Sequence, residues 1–329
     1  MKKQISKKCI KDLVSIIIVN WNGKKYLETC LKSLYDQKYK NFEIIFVDNN
    51  SIDDSINYVK TNFPDIKIIL NKKNYGFAKG NNIGLKYCNG EYLLLLNNDT
   101  EVHNDFICEL VNSMDNEKIA GVCGKVYSLN KRDKKLSTIH KIDPSSGKAI
   151  HIIDEVEKRE IDYLAGNSML LKKTVIDKVG FFDSTYFAYY EETDLCARII
   201  KAGYSLFYIP KAYIWHKEQG TATSSFHKYY IMRNQIRFVI KNFDLNFFPK
   251  AIIGNFISLI NIISGKKQKT LTVKKDDKKF SVKLLLFKAI IWNLVFIPHT
   301  IYCRVVDNMK IGYLRVSYNK NLPLRDYKK

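Results

Sequence analysis

The sequence predicts a doubly wound, mixed but mostly parallel α/β sheet, followed by a helical and strongly basic tail. Three observations predict it. Four short apolar runs within the first hundred residues alternate with amphipathic stretches, each run gives way to Asn or Asp, and the excess of lysine is concentrated after residue 240.

The runs are VSIIIV (Val14–Val19), FEIIFV (Phe42–Val47), IKIIL (Ile66–Leu70) and YLLLL (Tyr92–Leu96). Each is too short for a helix and is rich in β-branched residues or leucine, as strands buried on both faces are. Helices are expected near 24–37, 52–62, 77–88 and 103–115. Ser51 or Asp53 is available to cap the second, and Asn89-Gly90 to stop the third. The resulting βαβαβαβ order specifies a doubly wound sheet, in which ligands bind beyond the carboxyl ends of the strands. Those ends read Asn20-Trp21-Asn22, Asp48-Asn49-Asn50, Asn71 to Asn74, and Asn97-Asn98-Asp99. All are polar, and two carry a carboxylate.

Residues 128–160 are charged and weakly periodic, and are expected to form an exposed insertion or hairpin around the DPSSG turn at 143–147. AGNSMLL, from Ala165, reads as a strand and Thr174–Val179 as a short helix. A longer helix is expected over Glu191–Ala202, ending at Gly203, and then a strand over Tyr204–Tyr208 closed by Pro210. The tail holds two apolar stretches, Ala251–Ile263 and Leu284–Ile297, each short of the roughly 20 residues that span a bilayer. Between them lies KKQKTLTVKKDDKKF. Short apolar segments beside polybasic sequence suit an interfacial anchor on an anionic membrane surface; a helical subdomain packed on the rest is the plainer reading.

Charge separates the two parts. Residues 1–240 carry 36 Lys and Arg against 28 Asp and Glu, whereas residues 241–329 carry 18 against 5. The formal charge of +21 calls for an anionic partner. The lysines cluster in the tail without interleaved stacking platforms, so nucleic acid is not the expected one. Seven scattered cysteines form no C-x-x-C pair, which fits a reducing compartment. The segment MKKQISKKCIKDL lacks the apolar core of a secretory signal, so a cytoplasmic placement is expected. The division read from these patterns is a basic N-terminal tail (1–12), a catalytic domain (13–240) and a basic helical tail (241–329).

Chemistry concentrates in a few motifs. A nucleotide diphosphate brings two negative phosphates, which a hard divalent cation on oxygen ligands neutralises. Asp99, at the end of the most hydrophobic run, is placed to be such a ligand, although NNDT before a helix is equally good capping chemistry. Asp48 can accept a hydrogen bond from the imide N–H of uracil or thymine, or cap the next helix. NYGFAKGNN, from Asn74 through Gly76, Gly80 and Asn81, is glycine-spaced but fits neither common phosphate-loop pattern. Glu191, Glu192 and Asp194 crowd a helix start behind the aromatic run of GFFDSTYFAYY. The helix dipole alone would favour acids there, but the aromatics would also exclude water and raise a carboxylate toward the basicity a general base needs. Asp194, four residues before Arg198, reads as a structural ion pair.

VSIIIVNWNG, FEIIFVDNNSIDDS, NYGFAKGNN, LLLLNNDTEV, GFFDSTYFAYYEETDLCARIIKAGY and IWH, in this order over about residues 13–240, resemble family 2 glycosyltransferases of the GT-A fold. Within the family they are most similar to the rhamnosyltransferase-like branch of surface polysaccharide assembly. The resemblance implies a nucleotide-sugar-binding fold whose Asp48 holds the donor's base. Asp99 stands at the last Asp of the family's DxD motif, as ligand to Mg2+ or Mn2+. Glu192 takes the place of the catalytic base, with Glu191 as a possible substitute, and His216 that of a histidine near diphosphate and metal. Asn20, Asn22, Asn50 and Asn98 join Asn74, Gly76, Gly80 and Asn81 as donor-site residues. Tyr230, Arg233 and Asn234 match a Tyr-x-x-Arg-Asn segment assigned to site closure or the acceptor. Two departures stand out: Asn97 replaces the first acid of the DxD motif, and glutamate replaces aspartate at 192.

The implied activity is an inverting, metal-dependent transfer of a sugar, rhamnose among the candidates, from a UDP- or dTDP-type donor to a hydroxyl. The acceptor would be a glycan or lipid-linked, at the inner face of the cell membrane. A nucleotidyltransferase is the rival enzyme, though NWNGKKY after the first strand lacks its glycine-rich phosphate loop. A non-catalytic nucleotide- or glycan-binding module is the rival from another class.

Overall fold

A computed structural model describes residues 12–137, 139–153, 157–217, 225–243 and 282–311. Residues 1–11 of the basic N-terminal tail, the stretch Ala251–Ile263 and the lysine-rich segment after it lie outside the described residues.

Ten strands form one sheet. Its parallel part comprises β1 (Val14–Asn20), β2 (Phe42–Asp48), β3 (Lys67–Leu70) and β4 (Tyr92–Leu96), ordered β4-β1-β2-β3. The sheet continues beyond β4 through β11 (Ser168–Lys172), β6 (Ile119–Ser128), β12 (Ser205–His216) and β10 (Arg159–Glu160), with β5 (Thr100–Val102) and β7 (Lys135–Ser137) paired to β12 and β6. β11 is antiparallel to both β4 and β6, whereas β6 and β12 are parallel. The architecture is the mixed, mostly parallel sheet that the sequence predicts.

Strand alternation explains why both faces are covered. Ile16 and Ile18 point into one core with α1 (Lys24–Tyr35), α2 (Ser55–Asn62) and α4 (Phe106–Asn112). Ile17, Ile45 and Val47 point into the other, with α3 (Gly76–Leu85), α5 (Lys173–Val179) and α6 (Glu191–Lys201). Period-two side chains on a sheet buried on both sides require this arrangement.

Several local expectations are corrected. Pro210 does not close the strand after Tyr208: β12 runs on to His216, with a register shift between Ile209 and Tyr213 that accommodates the missing donor. Ser51 does not cap α2, because its hydroxyl and amide are bonded to Asp48. Residues 128–160 are not simply an exposed insertion, since β7 and β10 join the main sheet. A hairpin of β8 (Ile139–Ile142) and β9 (Ala149–Ile152) packs beside α6, where Tyr190 Oη donates to Gly147 O.

The largest difference is in the tail. Leu284–Ile297 is part of one 29-residue helix, α8 (Val282–Lys310), which packs along α7 (Ser225–Asn242). Asn293, which interrupts the apolar stretch in sequence, and Thr300 and Arg304 beyond it bond to α7 and the residue just after it. Among the described residues, Leu284–Lys310 is the one segment long and apolar enough to cross a membrane, by length and composition alone.

Candidate active site

The strand order reverses between β1 and β4, and a crevice at such a switch point is where doubly wound sheets hold ligands. Adjacent strands place their terminal polar side chains in one row there. Asn98 Nδ2 donates to Asn20 Oδ1 (2.6 Å), and Asn20 Nδ2 donates to Asp48 Oδ1 (3.0 Å) and Ser51 Oγ (3.1 Å). Asn22 Oδ1 accepts from Ile52 N, while Asn71 Nδ2 donates to Asn49 Oδ1. Asn22 and Asn50 take left-handed backbone (φ 52° and 63°), a conformation asparagine tolerates better than most residues. Buried Asp48 also accepts the Ser51 amide on Oδ2 at 2.7 Å. A carboxylate offers about four acceptor positions, so Oδ2 retains capacity for one more donor.

Gly23 ends the VSIIIVNWNG motif but is not among the donor-site residues expected from sequence. A Cβ there would stand 2.1 Å from Asn98 Nδ2 and 2.4 Å from Asn20 Oδ1, so any larger residue would break the row. The glycines of NYGFAKGNN have packing roles. Gly80 lets α3 approach β1, since a Cβ would lie 2.8 Å from Val19 Cγ1; Gly76 has φ +78° and abuts Phe187 O. Gly80 and Asn81 are buried, Gly80 where α3 packs closely on β1. Asn74 Oδ1 accepts the Gly76 amide and holds the turn. Asn82, not singled out in the sequence, bridges α3 to the aromatic segment through Phe182 N and O.

Asp99 follows β4 and meets His216 through strand pairing. β5 is antiparallel to β12, with Thr100 opposite His216. Asp99 Oδ1 is buried without a hydrogen bond and stands 3.1 Å from His216 Nε2. Two donors sharing a small divalent cation at about 2.1 Å stand roughly 3 Å apart, so the pair fits one ion. Asn97 Nδ2 lies 3.4 Å from the same imidazole nitrogen. Among the described residues, no three His, Cys, Asp or Glu side chains converge as a metal-binding group.

The carboxylates of α6 lie beside this turn because β11 starts next to the end of β4. Asn97 N donates to Asn167 O, and a Cβ on Gly166 would be 3.5 Å from Glu192 Cγ. Glu191 is buried, and both Glu191 Oε2 and Glu192 Oε2 are buried without a partner. Burial raises both acids: Glu192 to about 7, and Glu191 well above the carboxylate range, where the charge of Glu192 adds to the effect. Asp194 is different. Burial opposes its ionisation, but Lys241 and Arg198 hold it below the usual range, and Arg198 Nε lies 3.1 Å from Asp194 Oδ2. The ion pair expected from i,i+4 spacing is present.

The chain just before α6 is strained. Phe187, Tyr189 and Tyr190 have φ between 66° and 71°, and left-handed backbone costs non-glycine residues of order 1–3 kcal/mol each. Asn234 and Arg233 hold it. Asn234 Nδ2 lies 2.6–3.0 Å from the carbonyls of Tyr186, Ala188 and Tyr189, and Arg233 Nη2 donates to those of Thr185 and Tyr186. Both side chains are buried. Tyr230 stacks on Phe187 at 5.2 Å and remains partly exposed. Sequence spacing groups these three residues; it does not reveal that two of them grip the backbone that leads to Glu192.

Relatives and solved structures bear on the fold and the family. The chain is 26% identical over 267 residues to the low-salt glycan biosynthesis hexosyltransferase Agl10 of Haloferax volcanii, covering 77% of this chain and 83% of that one. It is 24% identical to the dTDP-rhamnosyl transferase RfbF of Shigella flexneri, covering 79% and 91%. Among solved structures, GalNAc-T7 with UDP, GalNAc and Mn2+ superposes with a TM-score of 0.61 at 16% identity, over 88% of this chain and 57% of that one. The mannosyltransferase PcManGT of Pyrobaculum calidifontis, with GDP-Man and Mn2+, superposes at 0.54 and 14%, over 91% and 86%. The glycosyl transferase family 2 model matches residues 15–180, which take in all four polar strand ends, and the chain therefore belongs to that family, whose members move a sugar from a nucleotide-diphosphate donor to an acceptor.

Proposed function

We propose that the protein is an inverting glycosyltransferase with Glu192 as its general base, and that it acts on a glycan or lipid-linked acceptor at the inner face of the cell membrane. The observation that carries this reading is the buried Glu191–Glu192 pair, set beside the Asp99 turn by the Gly166-Asn167 bend, with Glu192 raised to about 7. A base acts best when its pKa lies near the working pH. Glu191 is raised as well, by burial and by the charge of Glu192 beside it.

In this reading Asn20, Asp48 and Asn98 orient the donor's nucleoside at the strand ends, with Asn22, Asn50 and Asn74 shaping the adjoining turns. Asp99 and His216 are the residues that would hold Mg2+ or Mn2+, which when bound neutralises the diphosphate. Glu192 takes the proton of the acceptor hydroxyl, whose oxygen attacks the anomeric carbon as the nucleoside diphosphate leaves. A single displacement inverts that carbon. The catalytic part is residues 13–240, and the basic tail, 241–329, is the membrane-facing part. The relatives named for dTDP-rhamnose and hexose transfer support a UDP- or dTDP-type donor in polysaccharide synthesis, with rhamnose the first sugar to test.

The test is incubation with a panel of nucleotide sugars, Mn2+ and candidate acceptors. Release of nucleoside diphosphate with a product of inverted anomeric configuration is expected. Release of pyrophosphate would mean a nucleotidyltransferase, and tight binding without turnover a binding module.

A further inference from the structure

The outward face of α8 carries Phe287, Ile291, Leu294, Ile301, Val305 and Met309, all exposed. Their spacing of three, four or seven residues puts them on one stripe along the helix. The inward face is tied to the catalytic part. Asn293 Nδ2 donates to Arg233 O, Arg237 Nη1 donates to Thr300 Oγ1, and Arg304 Nη1 donates to the carbonyls of Ile240 and Phe243. Asp307 Oδ2 lies 2.9 Å from Lys241 Nζ and 3.8 Å from Arg198 Nε, within a network that also includes Asp183, Asp194 and Arg237.

We infer that α8 docks flat on the surface of an anionic lipid bilayer, with this stripe in the headgroup–acyl boundary, and does not cross the membrane. The inference rests on the reading that the enzyme works at a membrane face. Length and hydropathy alone would allow a span, but crossing would pull Asn293, Thr300, Arg304 and Asp307 into hydrocarbon. It would also strip Asp307 from the buried cations Lys241 and Arg198. Removing one partner from a buried charge network is strongly destabilising, and unsatisfied polar groups are not tolerated in lipid. Lying flat keeps every one of these bonds and buries only the apolar stripe. The charge of the chain selects the lipid: Lys266, Lys267, Lys269, Lys274, Lys275, Lys278 and Lys279 precede the helix, against Asp276 and Asp277, and such clusters are drawn to anionic headgroups. Through Asp307 and Lys241 the docked helix is linked directly to Asp194 on α6, so the base faces a fixed direction relative to the lipid.

The test uses the full chain with spin labels carried by a non-natural amino acid at Phe287, Leu294, Val305 and Met309, one at a time, on phosphatidylglycerol-containing vesicles. A flat helix gives similar depths at all four, about 5–10 Å below the headgroups. A depth that changes by about 30 Å from Phe287 to Met309, the length of that stretch at 1.5 Å per residue, would overturn the inference in favour of a span. Labels that stay in water with vesicles, or become shielded only as the protein self-associates without lipid, would overturn it in favour of a solvated face or a second copy. The double variant Leu294→Gln, Met309→Gln, which removes apolar surface without changing charge, should bind these vesicles at least tenfold more weakly, with unchanged Tm and unchanged transfer to a soluble acceptor. Unchanged vesicle binding by this variant would also overturn it. Transfer is assayed separately without lipid, so a chain that docks but does not turn over defeats the enzymatic reading and leaves the docking intact.

Discussion

The proposed donor end and the proposed base end of the site are built on different principles. At the donor end, Asn98, Asn20, Asp48 and Ser51 are placed by strands that lie side by side, and they bond chiefly to one another. Register alone fixes their order. At the base end, Glu192 follows three left-handed residues held by Asn234 and Arg233 from α7, itself fastened to α8. The donor end is neutral apart from its carboxylates and stands on a rigid sheet, whereas the base end has buried acids, strain and a charge network of Asp183, Asp194, Asp307, Arg198, Arg237 and Lys241. A pocket for a polar ligand needs only aligned donors and acceptors. A carboxylate raised toward neutrality needs an environment assembled from several distant segments.

This contrast can be broken most directly at Glu192. Glu192→Gln keeps the shape but cannot accept a proton, so kcat should fall by about 10²-fold or more with donor affinity nearly unchanged. Glu191→Gln should lose less, because it is the Glu192 side chain that lies against the Gly166 bend beside Asn97. A larger loss at Glu191 would transfer the role of base to it.

At the donor end, Asp99→Ala should remove metal-dependent nucleotide binding, measured by calorimetry with and without Mn2+, and transfer with it. The fold should persist, since a partly exposed side chain with one imidazole neighbour contributes little to packing. Retention of Mn2+-dependent binding would reduce the Asp99–His216 pair to a turn.

Asn234→Ala sharpens the comparison, because it touches neither donor nor acceptor. Releasing the carbonyls of Tyr186, Ala188 and Tyr189 should let the strained segment relax and displace Glu192, lowering kcat by about 10-fold to 100-fold with little change in donor affinity. Stability should drop by on the order of 2–3 kcal/mol, from buried carbonyls left without donors. An unchanged kcat alongside the lowered Tm would make Asn234 purely structural.

The smallest expected effect is in pH dependence. Activity should rise with pH through about 7 as Glu192 loses its proton. Stability should move the other way. The folded pair binds protons that the unfolded chain, with acids near 4.5, releases. The contribution of Glu192 is therefore full below about pH 4.5 and declines as pH rises to about 7. In Glu192→Gln this part of the pH dependence should disappear from the denaturation profile.

Much of the site is legible in the sequence because its signals are local. Apolar runs of strand length ending in Asn or Asp predict β1 to β4 and the side of the sheet where a polar ligand sits. Acids at a helix start behind aromatics predict the neighbourhood of Glu192, and i,i+4 spacing predicts the Asp194–Arg198 pair. Other features depend on segments that meet only after folding. The pairing of β5 with β12 sets His216 against Asp99, and the antiparallel placement of β11 beside β4 joins Asn167 to Asn97 and sets Gly166 against Glu192. Asn82 is an unremarkable asparagine until Phe182 is brought to it, and Asn234, marked by its motif, gives no sign in sequence of the carbonyls it binds. In α8, Asn293 looks like a break in an apolar run, and for it as for Arg304 and Asp307 sequence shows polarity but not partners. Composition and periodicity report the faces an element must bury; only tertiary packing decides which charges meet, and therefore which carboxylate is held ionised and which is raised above its usual range.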